Sequence, residues 1–472
     1  MCSRRHFRGC DPRSPTGFEK GSGSLRVLGA ALAVCFLAAG AAAADEPKAP
    51  SGAALKERIA DINKRVADQY TSLEALYKHL HTHPELSLQE EQTAARLARE
   101  IKPLGFEVTT GVGGHGIVAV LKNGEGPTVL VRTDMDALPV VEQTGLPYAS
   151  TVRTHDRDGN DVGVMHACGH DMHMTCWIGT ARVLAALKDR WQGTLVFIAQ
   201  PAEEIGAGAR AMLADGLFKK FPHPDYCLAL HCDARQPYGH VAFTEGLALA
   251  NVDSVDILVR GKGGHGAAPH TTVDPIVLAA RIVLDLQTLV SRETNPTDPV
   301  VVTVGSIHGG TKHNIIPNEV KMQLTVRTTK DAVRKHTLEG IERIAKAAAE
   351  GARAPEPIVK VDPGEFTPAL VNDAPLTRKT VALFRDVLGP DKVHERPPVM
   401  GGEDFGRYGR EGVPIFLYFL GTIAPERVAE ADREGGQALP SLHSDQYYPV
   451  PEPSIKTGVL TMSTAVLNLL GK

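Results

Sequence analysis

The sequence predicts an α/β fold built on a mixed, largely parallel sheet and interrupted by a smaller α+β insert. Three observations predict it. Short apolar runs alternate with helix-period segments between residues 116 and 231, residues able to bind metal or carry protons gather where those runs end, and from about residue 251 to 362 the rhythm changes before it reverts. A chain of 472 residues, 43% hydrophobic and 22% charged, has enough apolar material for two cores. Its formal net charge of −4 offers no basic surface, so neither nucleic acid nor an anionic membrane is an expected partner.

Residues 1–44 read as an export signal. Arg4, Arg5 and Arg8 supply a basic region, residues 25–39 are an apolar run, and the alanines at 41–44 offer a small-residue cleavage site before Asp45. The run falls short of the ~20 residues a bilayer span needs, so no stable membrane insertion is expected after cleavage. The mature protein is expected in the periplasm or outside the cell, beginning with a polar linker over residues 45–54. Cys2, Cys10 and Cys35 leave with the signal. Of the four cysteines that remain, Cys227 and Cys232 could pair, but the spacing does not suggest a disulfide framework.

Residues 55–83 have helical periodicity, with Leu55, Ile59, Ile62, Val66, Tyr70, Leu73, Leu76 and Leu80 three or four apart. A second helix, 90–104, closes at Gly105. Strands follow at 116–121, 128–133, 194–200 and 226–231, alternating with helices at 174–187 and 207–215. The insert begins near residue 251, with a strand at 252–259, a helix at 275–290, strands at 300–307 and 320–328, an Ala-rich helix at 331–351 and a strand at 358–361. This βαββαβ order is ferredoxin-like. The α/β pattern resumes with a helix at 376–387 and an apolar run at 413–420.

The stretch MHACGHDMH, residues 165–173, is a candidate metal cradle. Cysteine sulfur and imidazole nitrogen suit borderline-soft divalent cations, and Gly169 lets the backbone bend so that Cys168 and His170 reach one centre. A small buried Cys beside helix-capping residues is the plainer alternative. Strand ends tip the balance: Asp134 and Asp136 follow the strand ending at Thr133, Glu203 and Glu204 follow the one ending at Gln200, and His231 ends the run from Tyr226. Each alone also reads as a cap or a solvated charge. Adjacent carboxylates beside a cradle make chemical sense, since one can ligate while the other handles a proton.

MHACGHDMH, QPAEE, His231, GGHGAAPH at 263–270, HNIIP at 313–317, GGEDF at 401–405 and SLHSD at 441–445, in that order, resemble the M20 metallopeptidase and amidohydrolase family. The most similar branch is that of hippurate hydrolases, N-acyl-amino-acid amidohydrolases and indole-acetyl-amino-acid hydrolases. The resemblance implies a zinc-peptidase-like catalytic domain over 55–250 and 363–472, with 251–362 as a lid and dimerisation domain. It implies two divalent metals per subunit, zinc or manganese foremost, with cobalt or nickel also suited. Cys168 would bridge them, His170 and Glu204 completing one shell and His231 and His443 the other. Where the wider family has a His and an Asp, this chain has Asp134 and Asp136, which leaves Asp136 to orient a ligand imidazole and Asp134 as structural.

The resemblance makes Glu203 the general base, taking a proton from a metal-bridging water and returning it to the departing amine. His265 would donate to the developing oxyanion, reaching into the partner subunit's site of a homodimer. Asn314 and Arg327 would hold the substrate's free α-carboxylate, for which the planar fork of Arg is suited. The expected reaction is hydrolysis of N-acyl amino acids, hippurate-like or N-acetyl, to a carboxylic acid and a free amino acid, with a metallo-dipeptidase or carboxypeptidase as the alternative. A cysteine hydrolase with Cys168 as nucleophile and His170 as base leaves Glu204, His231 and His443 without roles. A binding protein on an inactive hydrolase fold would be expected to lack a ligand or the base, and every such position is filled. Residues 153–162, an insert before the cradle, could rim the cleft.

Overall fold

The computed structural model describes residues 52–471; the expected export signal, with Cys2, Cys10 and Cys35, and the expected linker up to residue 51 lie outside them. The first described element is α1 (Gly52–Thr82), which buries Leu55, Ile62, Val66, Leu73, Leu76 and Leu80 along one stripe. After α2 (Glu91–Ile101), a short 3-10 turn and Gly105 at φ 90° end the helical segment. Next come β1 (Glu107–Val112), β2 (Gly116–Asn123), β3 (Thr128–Asp134), α3 (His170–Ala186), β4 (Gly193–Gln200), β5 (Tyr226–Pro237) and β6 (Val241–Phe243).

The chain then runs through β7 (Asn251–Arg260), α4 (Pro275–Thr288), β8 (Val300–His308), β9 (Glu319–Thr328), α5 (Asp331–Gly351) and β10 (Ile358–Val361). These strands pair in the order β8-β9-β7-β10, all antiparallel, as a sheet of their own. Alternate residues Val255, Ile257, Val259 of β7 and Val320, Met322, Leu324, Val326 of β9 pack on Leu278, Ile282 and Leu286 of α4 and Ile341 and Ile344 of α5. Period-two burial on the strands and helical spacing on α4 and α5 thus meet in one core. At its base, Val252 and Thr367 exchange backbone hydrogen bonds of 2.8 and 3.0 Å.

The remaining elements are α6 (Ala374–Leu388), β11 (Val393–Glu395), β12 (Ile415–Ile423) and α7 (Pro451–Leu470). They complete an eight-stranded sheet, β1-β2-β4-β3-β5-β12-β6-β11. β4, β3, β5 and β12 pair in parallel at its centre, and the antiparallel pairings β1 with β2, β2 with β4 and β12 with β6 lie toward its edges. Helices α1, α3 and α7 cover one face, where Trp177, Phe197 and Val459 share a core. A second core holding Met212, Phe405 and Tyr408 covers the other, so the central strands are buried on both faces and largely apolar.

Several elements differ from the sequence expectation, each for a physical reason. β1 was not expected, because an edge strand with one face open carries no apolar run. α7 was not expected either, since a helix buried nearly all round shows no stripe. α3 begins at His170 rather than residue 174, because Gly169, at φ 81°, turns the chain directly into the first helical bonds. β5 continues past His231 to Pro237 with β12 as partner, while β3 leaves it after Ala229. Cys227 and Cys232 lie in the cores on opposite faces of the sheet and are free. Among the described residues, no helix is long and apolar enough to cross a membrane.

Candidate active site

Gly169 is the pivot of the cradle. At its φ of 81° an L side chain is strained, and a Cβ there would lie 2.9 Å from the Cys232 sulfur. Glycine therefore lets Cys168 and His170 flank the same point. His170 donates through Nδ1 to the Asp136 carbonyl at 2.7 Å, which leaves Nε2 buried without a hydrogen bond, 3.7 Å from Glu204 Oε1. His231 likewise donates through Nδ1 to the Cys232 carbonyl at 2.8 Å, and its Nε2 lies 3.5 Å from the Cys168 sulfur. His443, in the left-handed region at φ 68°, is tied by its N–H to the Ala167 carbonyl at 2.9 Å, and its Nε2 lies 3.5 Å from Glu204 Oε2.

The five expected ligands thus converge. Ligand atoms of Cys168, His170 and His231 lie within 4.8 Å of one another, as do those of Cys168, Glu204 and His443. Cys168 is common to both groups, the property a bridging ligand needs. Glu204 Oε1 and His170 Nε2 are both buried without a hydrogen-bond partner. Burial, with Glu204 and Glu203 close by, pushes the Cys168 thiol up, so a thiolate here requires a cation beside it. Burial alone would depress His170, but the Asp134, Asp136 and Glu204 carboxylates lift its pKa to about 10. Buried N and O ligand atoms without hydrogen bonds, gathered around one shared sulfur, fit two divalent cations.

The carboxylates divide the remaining work. Asp136 accepts the backbone N–H of Glu203 at 3.1 Å on Oδ1, and that of Glu204 at 2.9 Å together with the Ser87 hydroxyl at 2.6 Å on Oδ2. It is the Asp136 carbonyl, rather than its carboxylate, that makes the close hydrogen bond to the ligand imidazole. The Glu203 side chain is nearly buried, and its carboxylate lies within 4.8 Å of those of Glu403 and Asp404. Burial first, then Glu403, Glu204 and Asp404, raise its pKa well above the carboxylate range.

Beneath it lies a network that the motifs alone do not reveal. Arg132, buried mid-sheet, donates to Asp134 at 2.6 Å, Glu403 at 2.8 Å, Asp404 at 3.2 Å and Gln200 at 3.2 Å. Asp134 in turn accepts from His173 Nδ1 at 2.7 Å, and His173 Nε2 accepts the Cys232 N–H at 2.7 Å. Asp134 and His173 are therefore supports. GGEDF contributes side chains as well as backbone. An arginine inside the apolar run TVLVRTD was the available signal, because a charge in a buried strand demands buried partners.

A cleft of ≈ 820 Å³ opens over these groups, lined by Cys168, Glu203, Glu204, His231, His443 and Arg327. The Arg327 side chain is half-buried with no ion pair or hydrogen bond to any described residue. His265 and Asn314 do not line this cleft. They sit on neighbouring short strands, Gly264–His265 and Ile315–Ile316 with the residue before it, where the Gly266 N–H donates to the Asn314 carbonyl at 2.8 Å. His265 Nδ1 accepts the Ala267 N–H at 3.0 Å, which turns Nε2 into the donor. The insert at 153–162 forms the hairpin of the strands Arg153–His155 and Asp161–Gly163, the second running one residue past it, and Arg157 in its turn lines the cleft.

A sequence profile of peptidase family M20/M25/M40 matches residues 130–434. Over 361 residues the chain is 37% identical to the N-acetylcysteine deacetylase of Bacillus subtilis, covering 76% of this chain and 90% of that protein. It is 33% identical over 401 residues to thermostable carboxypeptidase 1 of Saccharolobus solfataricus, covering 84% and 94% of the two. The crystal structure of the YxeP protein of Bacillus subtilis, described as a dinuclear metal-binding peptidase of the M20 family, superposes with a TM-score of 0.67 at 30% identity, covering 86% of this chain and 100% of that one.

Proposed function

The chain belongs to peptidase family M20/M25/M40 and is a hydrolase of its amidohydrolase branch, and from that premise we propose that it hydrolyses N-acyl amino acids of the hippurate or N-acetyl type. The observation that carries this reading is the ligand cluster around Cys168, with His170 Nε2 and Glu204 Oε1 buried, 3.7 Å apart and without hydrogen bonds, beside Glu203. An N-acetylcysteine deacetylase and a carboxypeptidase share one demand, an amide whose amine half bears a free α-carboxylate. Arg327, which lines the cleft, suits that carboxylate, and Asn314, which stands outside the cleft of its own chain, would join it there from the partner subunit, as His265 would. The same geometry keeps peptides in view as a second substrate class, which the carboxypeptidase relative favours.

In this reading Cys168, His170, Glu204, His231 and His443 hold two divalent cations, zinc or manganese foremost, which when bound polarise the amide carbonyl and acidify the attacking water. Glu203 accepts that water's proton as the C–O bond forms and delivers it to the amine nitrogen as the C–N bond breaks. The carboxylates of Glu403 and Asp404 help it hold the proton, because they make the ionised form costly. His265 Nε2–H donates to the carbonyl oxygen as negative charge develops there, from the partner subunit of a homodimer formed through the insert. Two features support such a pairing: β8 is an open sheet edge, and Ile276, Val277 and Leu284 on α4 are exposed. Export, proposed from Arg4, Arg5, Arg8 and the apolar run at 25–39, is checked by locating the mature protein in fractionated cells.

The test is hydrolysis of hippurate, a panel of N-acetyl amino acids and matched dipeptides, before and after chelation and with Zn²⁺, Mn²⁺ or Co²⁺ restored. Activity is expected to vanish on chelation and return with metal. Turnover that survives complete metal removal would replace this mechanism with a Cys168 nucleophile.

A further inference from the structure

The turn that carries Glu203 and Glu204 begins in a conformation that needs holding. Ala202 is fully buried at φ 51°, in the left-handed region that residues with a Cβ rarely enter. Leu88, in the loop before α2, is likewise left-handed at φ 70°. Both donate their backbone N–H to one oxygen of Glu90, Ala202 at 2.8 Å and Leu88 at 2.9 Å. Glu90 is itself fully buried. With Asp136 accepting from Glu203 and Glu204, three consecutive N–H groups of the turn end on two buried carboxylates.

Glu90 is not occupied in capping its own helix. The N–H groups of Gln92 and Thr93 in the first turn of α2 are taken by Glu85, at 3.1 and 2.7 Å, and Glu90 makes no side-chain cap. Nor is it there for packing, since an apolar residue would fill the space without a buried charge. Burial and the neighbouring Asp136 push its carboxyl up to about 7, because the site disfavours the ionised form. What an acid supplies here is an oxygen that accepts two N–H groups from separate segments.

We propose that Glu90 is a positioning residue for the hydrolysis: by fixing Ala202 in the left-handed region against the 85–90 loop, it sets the directions of Glu203 and Glu204 without touching substrate. The inference rests on the reading of Glu203 as base and Glu204 as ligand. Its consequence is that the Glu90 side chain is needed only while residue 202 carries a Cβ. Glycine enters the left-handed region at no steric cost, so Ala202→Gly should make the Glu90 clamp dispensable.

The test compares Glu90→Ala, Glu90→Gln and the double variant Glu90→Ala/Ala202→Gly in the full mature protein, with Glu203→Gln as control. Glu90→Ala is expected to lower kcat about 10- to 100-fold with KM little changed, and to weaken Co²⁺ affinity, read by chelator competition, by about 10-fold or more. Glu90→Gln keeps the accepting oxygen and is expected to stay near wild type in both. The double variant is expected to regain most of both losses. Wild-type kcat and Co²⁺ affinity in a folded Glu90→Ala protein would overturn the proposal, as would losses that persist both in Glu90→Gln and in the double variant. Should Glu90→Ala fail to fold, the double variant decides: recovered folding and turnover support the clamp, and their absence overturns it. If Glu203→Gln keeps full activity, the reading of the site itself has failed, whatever Glu90 does.

Discussion

A carboxylate that must take up a proton needs surroundings that make its ionised form costly, and burial beside Glu403, Glu204 and Asp404 does this for Glu203. Its neighbours Glu403 and Asp404 are anchored by Arg132, which satisfies them without bonding to Glu203. A comparable balance holds His81 at the end of α1. Its Nδ1 donates to Asp171 at 2.6 Å and its Nε2 to Glu142 at 3.1 Å, all three side chains being buried. Burial opposes the charge, yet the two carboxylates raise the pKa to about 10 from an unfolded 6.5. Because the folded value is the higher, the clamp stabilises in full below pH 6.5 and its contribution is lost as pH rises through about 10. His81→Ala is expected to cost about 3–5 kcal/mol at pH 7, since it leaves two buried carboxylates unpaired. Urea midpoints of both proteins should converge above pH 10, and a gap independent of pH would sink the imidazolium assignment.

At the level of elements, the site depends on where α3 sits, because its first turn carries His170 and its N-terminus abuts Cys168. α3 approaches α7 closely at Gly179, where a Cβ would lie 2.5 Å from a Val459 methyl. Gly179→Val is therefore expected to destabilise the protein by about 1–3 kcal/mol through overpacking, measured by denaturant unfolding. A change under about 0.5 kcal/mol would mean that the two helices part without cost. The sequence marked α1, α4 and α5 because each shows an apolar stripe to one core. It hid α7 because burial on nearly all sides erases the stripe, and it hid β1 because an open edge carries no apolar run. Loss of periodicity therefore went with full burial at one element and with exposure at the other.

For the whole molecule, the telling fact is that His265 and Asn314 stand outside the cleft of their own chain while Arg327 lines it. If His265 serves the partner's site, two variants inactive by themselves can complement. A mixture of His265→Ala and Glu203→Gln subunits, after exchange, holds about half mixed dimers with one complete site each, so it should regain about a quarter of wild-type activity. No recovery despite demonstrated subunit exchange would return His265 to a structural role.

Part of the candidate site was legible in the linear sequence: Cys168 and His170 from the cradle, and Glu203, Glu204 and His231 from their places where strands end, whereas the place of His443 and the division into two shells came only from the resemblance to the M20 family. The largely parallel sheet was legible too, since strands buried on both faces are written as unbroken apolar runs. The supports were not legible. Arg132 meets Glu403 and Asp404 across some 270 residues of chain, His81 meets Asp171 across 90, and Glu90 meets Ala202 across 112. Such partners are chosen by proximity in the folded core, where a buried charge or a strained turn takes the nearest group that satisfies it, and sequence spacing carries no record of that choice.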